Sequence, residues 1–516
     1  MQTTFDARKI TGYVFIGISA VFVFYVSTTI CFSTKYWLLE PDPTFPYLLN
    51  GLNIATLHGV GHTDHPGTVL QILCAILLRI FYFCVPDANT NDIVRSVLSN
   101  PEWYLKNIYI SFFAIQSIIL AAVAARIWSS FNNVTLLIVI LTGLFVSPQL
   151  LSMQADSLRP EILIPSLLLL LTLATLKRWR ENTLNPPIPS RTLTWSAGAL
   201  AGAALFTKAT CFPVFCVSFL FWKDWKSRWY YVAGFACIAL ICLPLIWPKL
   251  YETLSWFSSL ALHEGKYGSG SATILSPTLF TANITTILSS NISTAALLAL
   301  TIAGLFVYRK ERHSLGWKIA ALYMLSIIII VALVAKHYAQ HYLIAVYITA
   351  FFVPFVYIAQ TKKVYLKLVT CIFCVFLFFV SCNTLYNKSN AIDKSAFTGN
   401  SFHYDDTIFQ NYTIVESYRT YTKIYALSFG NTYSNGQYGE LLRSIYTHCF
   451  EYNIWNKQFY HFQKHVSFEE IASSGRPVII RGTNLKRDNY GKNLILGKEI
   501  TAFPEGDVMY EFSGVK

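Results

Sequence analysis

Long apolar segments separated by short polar connectors fill residues 1–383 of the chain. Many of these segments approach the ~20 residues that cross a bilayer as a helix. The first one, at about residues 12–32, follows Arg8 and Lys9 and has no small-residue cleavage site, so we interpret it as an uncleaved anchor. The pattern predicts an all-α polytopic membrane domain.

The basic connectors set the predicted orientation of this domain. Lys and Arg concentrate in four stretches that the positive-inside rule places in the cytoplasm: 177–191, 223–228, 308–313 and 360–367. Two spans separate each stretch from the next, and this arrangement places three segments outside. These exterior segments are the loop before Glu161 and the connectors 248–290 and 336–341.

The apolar segment 67–85 decides the number of spans. Segments 107–128 and 134–151 are predicted to cross, and a third crossing at 67–85 would place Glu161 in the cytoplasm. Arg79 would then lie in the hydrocarbon at a cost of roughly 2.5 to 3.5 kcal/mol. We therefore predict a juxtamembrane helix on the outer face there. The topology has about eleven spans, with the N-terminus in the cytoplasm and the C-terminus outside.

Residues 384–516 have a different pattern, in which short apolar runs alternate with polar residues. Strands are predicted at 424–429, 478–481, 493–496 and 508–512, a helix near 437–446, and a turn at Asn435-Gly436. This pattern predicts a small α/β domain at residues 384–516, packed on the exterior of the membrane domain at residues 1–383.

Composition agrees with a membrane protein and restricts its partners. The 516 residues are 54% hydrophobic and only 13% charged, with a mean hydropathy of +0.44. The net charge of +13 resides largely in the short connectors, so its expected partners are the cytoplasm and anionic headgroups, and nucleic acid is not expected. The eleven cysteines lie nearly all in apolar runs and show neither a disulfide framework nor zinc-binding spacing.

Titratable side chains concentrate in the segments placed outside. Residues 38–71 alone carry three acids and three histidines: Glu40, Asp42, Asp64, His58, His62 and His65. Later segments on the same predicted face add Asp156, Arg159, Glu161, His263, Glu264, Lys336, His337 and His341. Carboxylates and imidazoles activate hydroxyls, and basic side chains or a metal stabilise a phosphate leaving group. Both chemistries are therefore predicted on one face.

Structural interpretations of these residues stay open. Glu40 and Asp42 could be turn or capping residues, and Asp64 could cap a helix. Glu161 could be a first-turn carboxylate that the helix dipole favours. Lys208 lies among small residues between two short apolar runs, which favours ion pairing or phosphate binding over snorkelling to the interface.

Two later segments have the same ambiguity. The glycine-rich turn at 263–268 could be only a loop. The connector 336–342 could be an interfacial belt of tyrosines with a snorkelling lysine.

These motifs resemble the multi-spanning C-type glycosyltransferases, which use polyprenyl-phosphate sugars and include protein O-mannosyltransferases and bacterial lipid A aminoarabinose transferases. The resemblance spans about residues 8–383. It rests on Glu40 and Asp42 after the first span, on Asp64-His65-Pro66-Gly67, on Arg159-Pro160-Glu161, on Gly202 with Thr207-Lys208, and on the exterior segments 263–268 and 336–342.

Two departures indicate a distant bacterial-type branch. Pro41 separates Glu40 from Asp42, where protein mannosyltransferases typically have adjacent acids. Gly67 stands where their second proline is found.

The resemblance implies an inverting transferase in the bacterial inner membrane that moves a sugar from a polyprenyl-phosphate donor to an acceptor hydroxyl on the outer face. The acceptor would be a glycan, a lipid or a protein. Asp42 would be the general base, with Glu40 and Asp64 as further catalytic residues. Substrate binding is expected from His65, Arg159, Glu161, Lys208, His263, Glu264, Tyr267, Lys336, His337 and His341. A divalent cation could be held by Glu40, Asp42 and Glu161, and no nucleotide cofactor is expected.

Other functions remain open from the sequence. A lipid-linked sugar flippase or carrier should carry polar residues near mid-membrane, whereas the acids here lie at the exterior rim. A polysaccharide ligase with a lipid diphosphate donor would not require the acids of the first loop. A metal hydrolase is less favoured, because the His337 and His341 pair lies in a predicted connector rather than on a helix.

Overall fold

The structure is a computed structural model, and every structural statement below concerns the residues it describes. These are 7–32, 41–63, 67–84, 92–131, 133–138, 158–184, 190–222, 224–265, 268–290, 292–307, 309–311, 314–350, 364–365, 367–376, 379–380, 383, 411–417, 422–453, 455–483, 494–502 and 507–515. Most of the predicted span 134–151, and Asp156, therefore lie outside the described residues. The predicted boundary at residue 383 stays a prediction for the same reason.

Helices fill the described part of residues 1–383. In chain order they are α1 (Ala7–Phe32), α2 (Pro41–Ala55), α3 (Thr68–Tyr82), α4 (Ile93–Ser99), α5 (Pro101–Phe131), α6 (Ile164–Leu184), α7 (Arg191–Thr207), α8 (Phe212–Leu220), α9 (Trp225–Ile246), α10 (Leu250–Leu262), α11 (Pro277–Ser290), α12 (Ile292–Val307), α13 (Leu315–Lys336) and α14 (Lys367–Phe376). Short 3-10 turns interrupt this series at Pro160–Ile162, Ala209–Cys211, Trp247–Lys249, Arg309–Glu311 and Gln340–Leu343.

Several described helices have the length and composition of membrane spans. Five are long and apolar enough to cross a bilayer: Ile10–Thr29, Pro101–Phe131, Pro160–Lys177, Trp225–Leu262 and Leu315–Lys336. The chain is thus an integral membrane protein with a helical membrane domain. The predicted count of about eleven spans, and the predicted orientation, stay predictions.

The segment 67–85 forms one short helix, α3, of 15 residues. At 1.5 Å per residue it is about 22 Å long, less than the ~30 Å hydrocarbon core. Arg79 donates its Nε to the carbonyl of Ala55, at the end of α2, over 2.8 Å. The neighbouring helix therefore provides the polar partner of the arginine. The length of α3 fits the predicted juxtamembrane helix, whose place relative to the bilayer stays a prediction.

Small residues allow α7 and α9 to pack with their backbones in contact. A Cβ added at Gly198 would lie 1.9 Å from the carbonyl oxygen of Tyr231, and one at Gly234 would lie 2.0 Å from that of Trp195. Small side chains permit this close approach of helices in membranes. The contact fixes α7, at whose C-terminal end Lys208 lies.

The C-terminal region contains a seven-stranded mixed sheet. Its strands are β1 (Thr413–Ser417), β2 (Cys449–Asn453), β3 (Gln458–His461), β4 (Lys464–Val466), β5 (Val478–Thr483), β6 (Leu494–Ala502) and β7 (Asp507–Val515), in the spatial order β4-β3-β2-β1-β5-β7-β6. β1 pairs in parallel with β2 and β5, and the outer pairings are antiparallel. The helices are α15 (Lys423–Thr432), α16 (Gly439–Ile445) and α17 (Phe468–Ala472).

The sheet confirms most of the predicted elements of this region and corrects one. The strands predicted at 478–481 and 508–512 lie in β5 and β7, the described residues 494–496 of the strand predicted at 493–496 lie in β6, and the predicted helix near 437–446 contains α16. Asn435 and Gly436 both have positive φ angles, which are typical of a type I′ turn and confirm the predicted turn. The strand predicted at 424–429 is wrong, because these residues belong to α15, which begins where Thr422 Oγ1 accepts the amide of Tyr425.

The C-terminal domain packs directly on the membrane domain. One buried apolar cluster contains residues from helices α2, α3, α4 and α5 together with residues from α15 and α16. Its members include Phe45, Leu49, Leu105, Leu427 and Leu442. Gly430 on α15 lies so close to α2 that an added Cβ would be 2.8 Å from the Cβ of Phe45. At the edge of this interface the Lys423 Nζ lies 3.0 Å from a carboxylate oxygen of Glu102. The two parts of the chain therefore share a core.

Candidate functional site

A buried ion pair lies where two membrane-domain helices are interrupted. Glu161 belongs to the 3-10 turn that precedes α6, and Lys208 lies between α7 and the turn Ala209–Cys211. Lys208 Nζ donates a hydrogen bond to Glu161 Oε1. Their side chains are 3% and 1% exposed. Burying one of these charges alone would cost several kcal/mol, so each depends on the other.

Other polar and aromatic groups surround this pair. His341 Nε2, in the 3-10 turn Gln340–Leu343, lies 3.9 Å from Glu161 Oε1. Lys208 Nζ lies 4.4 Å from the ring centroid of Tyr342, a cation–π distance. Arg159 also acts electrostatically on both members of the pair. The structure thus brings together four of the predicted substrate-binding residues, although they are far apart in the sequence.

Lys336 and His337 close the C-terminal end of α10. Lys336 Nζ donates to the carbonyls of Leu260 and Ala261 over 2.7 and 2.5 Å. His337 Nε2 donates to the Leu260 carbonyl over 2.9 Å. The last carbonyls of a helix have no partner within the helix and carry its negative dipole end, which favours basic side chains. These two predicted phosphate-binding residues therefore have a structural contact as well.

A cavity of about 520 Å³ lies beside these groups. Its apolar wall comes from α10, α13 and the loop after α10, with Trp256, Phe257, Leu260, Ala261, Ile274, Leu333 and Val334. Its polar lining comes from Lys208, Thr210, Lys336, His337, Tyr338, His341 and Tyr342. A ligand with a long apolar part and an anionic group would match both linings.

Two polar atoms of the cavity lining have no hydrogen-bond partner among the described residues. They are Thr210 Oγ1 and His337 Nδ1, and both atoms are buried. The Nε2 of His337 already donates to a carbonyl, so its Nδ1 is either the acceptor of a neutral ring or the second donor of a charged one. Buried polar atoms without partners are costly, so a ligand that bonded to them would gain free energy.

Asp42, the predicted base, is exposed and lies at the start of α2 with an extended backbone. Two residues later Thr44 Oγ1 accepts the amide of Leu158 over 3.1 Å. The start of α2 therefore lies against the segment that carries Arg159 and Glu161. Glu40, Asp64, His65 and Tyr267, which were also predicted in the site, lie outside the described residues.

The described residues on either side of residues 64–66 contact the cavity region. Thr63 Oγ1 accepts a 2.6 Å hydrogen bond from Thr253 Oγ1 on α10. The amide of Gly67 donates to the carbonyl of Thr207, next to Lys208, over 3.2 Å. The end of one loop thus touches both the helix that lines the cavity and the helix that carries Lys208.

His263 and Glu264 hold the loop that follows α10. His263 Nδ1 contacts the carbonyl of Ser259 at 3.2 Å. Glu264 accepts hydrogen bonds from Ser271 Oγ at 2.5 Å and from Thr273 Oγ1 at 3.0 Å, which lower the pKa of its carboxyl. His263 thus contacts the last turn of α10, and Glu264 bonds within the loop that contributes Ile274 to the cavity. Their predicted part in substrate binding stays a prediction.

The described residues give no support to a metal site. They contain no group of three His, Cys, Asp or Glu side chains that could hold an ion. The Glu161 carboxylate is paired with the ammonium of Lys208, which lies where a metal ion bound to Glu161 would have to lie. The divalent cation expected at Glu40, Asp42 and Glu161 stays a prediction.

Sequence reasoning missed Thr210 and the role of Tyr342. Thr210 lies two residues after Lys208 in a short polar break between apolar runs, a signal that would have identified it. An interfacial belt was one interpretation of the tyrosines in 336–342, and the distance of Tyr342 to Lys208 gives it a place in the site.

Comparison with known proteins identifies a similar fold. No protein-family model and no curated protein sequence matches the chain. Among solved structures, the chain is similar to ArnT from Cupriavidus metallidurans, in a crystal structure bound to undecaprenyl phosphate. The TM-score is 0.59 over 96% of this chain and 97% of the ArnT chain, with 10% sequence identity. At this identity the likeness is one of fold, and it confirms the resemblance to the C-type membrane glycosyltransferases at that level.

Proposed function

We propose that the chain is a membrane glycosyltransferase that moves a sugar from a polyprenyl-phosphate donor to an acceptor hydroxyl with inversion at the anomeric carbon. The single observation that carries this proposal is the cavity of about 520 Å³ with apolar walls and a basic lining. A polyprenyl chain would lie along Trp256, Phe257 and Leu333, and its phosphate would lie near Lys208 and His337. The ArnT structure, which contains undecaprenyl phosphate, supports such a donor by its fold.

The basic groups of the cavity would act on the phosphate. Lys208 has donors beyond the one it gives to Glu161, and His341 and Arg159 add positive charge or hydrogen bonds on the same side. Fixed cationic groups in a water-poor site stabilise the charge that develops on a leaving phosphate. Glu161 would keep Lys208 charged and oriented rather than contact the sugar.

Asp42 is the proposed general base. It is exposed at the start of α2, beside the segment that carries Arg159 and Glu161, so an acceptor hydroxyl can approach it from solvent. Removing a proton from that hydroxyl as it attacks the anomeric carbon is the ordinary task of such a carboxylate. We place this side of the protein outside the bacterial inner membrane, where a glycan, a lipid or a protein would be the acceptor.

The test is sugar transfer by the purified protein in nanodiscs, with a panel of polyprenyl-phosphate sugars as donors and envelope lipid and glycan as acceptors. Wild type should transfer sugar from at least one donor. Asp42→Asn should lose at least 100-fold in kcat and keep its donor affinity, because general base catalysis is worth roughly 10² to 10⁴ in rate. Asp92→Asn is the matched control. Asp92 is an exposed helix cap, and an asparagine side chain at this position can also accept the hydrogen bond from the Val94 backbone N–H.

The flippase alternative predicts a different result in the same preparation. Folded wild type would then release no sugar from any donor, while it accelerated the movement of the same lipids across liposomes. That pair of results would overturn the proposed function. Equal kcat in wild type and Asp42→Asn would leave the transferase in place and remove Asp42 from the role of base.

A further inference from the structure

The C-terminal domain contacts a loop of the membrane domain that in turn contacts the cavity wall. This loop, residues 57–63, follows α2, and we call it the 57–63 loop. A turn at residues 433–436, which follows α15 in the C-terminal domain, lies against it, and we call it the 433–436 turn. Neither segment lines the cavity itself.

Asn50 on α2 joins the loop to the turn with one side chain. Its Oδ1 accepts the amides of Gly61 at 2.6 Å and His62 at 3.3 Å. Its Nδ2 donates to the carbonyls of Pro46 at 2.7 Å and Tyr433 at 3.0 Å. Asn50 is fully buried, and these four bonds use its complete amide.

Asn53, one turn further along α2, repeats the two donor bonds of this arrangement. Its Nδ2 donates to the carbonyl of Gly59 in the loop at 3.2 Å and to that of Ser434 in the turn at 3.3 Å. Two buried amides thus hold the same two segments. A polar contact with several satisfied partners fixes geometry more strictly than apolar packing does.

The loop and the turn also touch through their backbones. A Cβ added at Gly61 would lie 2.7 Å from both the Tyr433 carbonyl oxygen and the Asn435 amide nitrogen. Asn435 has a φ of 63°, and this left-handed conformation shapes the turn at the point of contact. The ring of His62 stands edge-on to Tyr433 at a centroid distance of 5.5 Å. No side chain larger than hydrogen fits at Gly61 unless the turn moves.

The far side of the same loop contacts the cavity wall. Thr63 accepts the hydroxyl of Thr253 on α10, whose C-terminal turn forms part of the wall. Gln71 on α3 donates its Nε2 to the carbonyl of His62 at 2.9 Å, which fixes the loop from a third direction. A shift of the 433–436 turn would therefore move the loop and, through Thr63, the contact with α10.

We propose that the 433–436 turn is a positioning element of the site, which holds the 57–63 loop in place through Asn50 and Gly61. The inference rests on the proposed function. The C-terminal domain would then affect the reaction by fixing the position of the loop and not by contacting the substrate. Asn50 and Gly61 do not line the cavity.

The test compares Gly61→Ala with Gly59→Ala in the full-length protein. The alanine methyl at Gly61 must displace the turn, whereas at Gly59, in the same loop, it would lie 3.4 Å from Pro248 Cγ, an ordinary contact. Hydrogen–deuterium exchange measures how well the backbone amides of the 57–63 loop are protected. It therefore reports whether the turn still holds the loop, independently of enzymatic activity. Exchange there should increase at least tenfold in Gly61→Ala and stay at the wild-type rate in Gly59→Ala.

Kinetics then separate positioning from a general loss of structure. In Gly61→Ala, kcat for sugar transfer should fall at least tenfold. The dissociation constant for undecaprenyl phosphate should change less than threefold, because Lys208, Lys336 and His337 do not lie on the loop. A general loss of structure would instead reduce kcat and the number of lipid-binding sites in the same proportion, and that result would overturn the inference.

Three further outcomes decide the remaining cases. If Gly61→Ala does not fold, Tyr433→Ala tests a second contact between the same turn and loop, the edge-on contact of the Tyr433 ring with His62, at a side chain that is 38% exposed. A kcat within twofold of wild type in that variant would overturn the inference. If wild type transfers no sugar from any donor, the proposed function fails and the inference fails with it. If hydrogen–deuterium exchange of the 57–63 loop increases in Gly61→Ala while kcat stays at the wild-type value, the inference is overturned and the proposed function still stands.

Discussion

Buried charged side chains occur in two regions of this molecule, and the two differ in what surrounds them. In the membrane domain, Lys208 and Glu161 lie beside a cavity of about 520 Å³ that also exposes unpartnered polar atoms. In the C-terminal domain, Glu416 and Arg481 occupy adjacent register positions on β1 and β5 and are 1% and 0% exposed. Burial of charge is common to both regions, and the first also has a cavity with a basic lining beside it.

The charges in the sheet have protein partners on several sides. Glu416 Oε2 accepts the hydroxyl of Thr422, just before α15, and Glu416 is paired in register with Glu451 on β2. The row formed by Glu451, Glu416 and Arg481 lies on one face of the sheet, because register partners point to the same side. Such a row specifies the arrangement of the strands. We therefore expect a ligand at the buried charges beside the cavity and a structural role for the row in the sheet.

The affinity for undecaprenyl phosphate should differ most between the regions when Lys208 in one and Arg481 in the other is replaced by methionine. Lys208→Met leaves Glu161 buried without a partner, and breaking a buried pair in this way costs about 3 to 5 kcal/mol. The double variant Lys208→Met with Glu161→Gln should recover most of that stability, measured by unfolding in detergent. It should not recover the affinity for undecaprenyl phosphate. Recovery of both would show that Lys208 has only a structural role.

Arg481→Met should destabilise the C-terminal domain to a similar degree, about 3 to 5 kcal/mol, because Glu416 then loses the cation next to it. The affinity for undecaprenyl phosphate per folded molecule should stay within twofold of wild type, since the row has no contact with the cavity. Titration of the folded fraction with this lipid measures both quantities. A tenfold loss of affinity at full folding would contradict the distinction between the two regions.

These contrasts show what the sequence could predict. The break around Lys208 predicted ion pairing or phosphate binding, and the pairing is present. Its partner Glu161 is 47 residues away, so only the fold could identify it. The C-terminal cap that Lys336 forms on α10 was equally hidden, because the helix end lies 76 residues earlier. Local patterns identify residues that need a partner, and tertiary structure assigns the partner.

The sheet shows the same limit for secondary structure. Residues 424–429 are rich in aromatic and β-branched side chains, so they were predicted as a strand. The cap at Thr422 and burial against α2 make them a helix, an instance of tertiary context overriding propensity. β1 and β2 were missed because each is only five residues long and carries a glutamate among its apolar residues.

Stability should depend on pH in the C-terminal domain through Glu451. Burial raises the pKa of its carboxyl to about 8, and the negative charge of Glu416 adds to this, whereas a hydrogen bond from Ser428 opposes it. A folded pKa above the unfolded value of about 4.5 means that the contribution is fully present below pH 4.5 and is lost as pH rises through 8. Melting of the full-length protein between pH 5 and 9 should show this decline, and Glu451→Gln should flatten it.

The smallest effect is expected at the cavity lining. Thr210→Val removes a buried hydroxyl that has no partner, so the stability of the ligand-free protein should stay the same or rise slightly. Its affinity for undecaprenyl phosphate should fall roughly 2- to 10-fold, the effect of one lost hydrogen bond of about 0.5 to 1.5 kcal/mol. Thr210→Ser keeps the hydroxyl and should bind as wild type does. Equal affinity in all three proteins would remove Thr210 from the ligand site.

The central claim is that the cavity between α10 and α13 binds a polyprenyl phosphate. Photocrosslinking with a diazirine-bearing polyprenyl phosphate, followed by peptide mapping, tests it most directly. We expect adducts on the peptides of α10 and α13 that contain Trp256, Leu260 and Leu333, with labelling suppressed by excess undecaprenyl phosphate. Adducts confined to other helices, or labelling that undecaprenyl phosphate does not compete for, would contradict it.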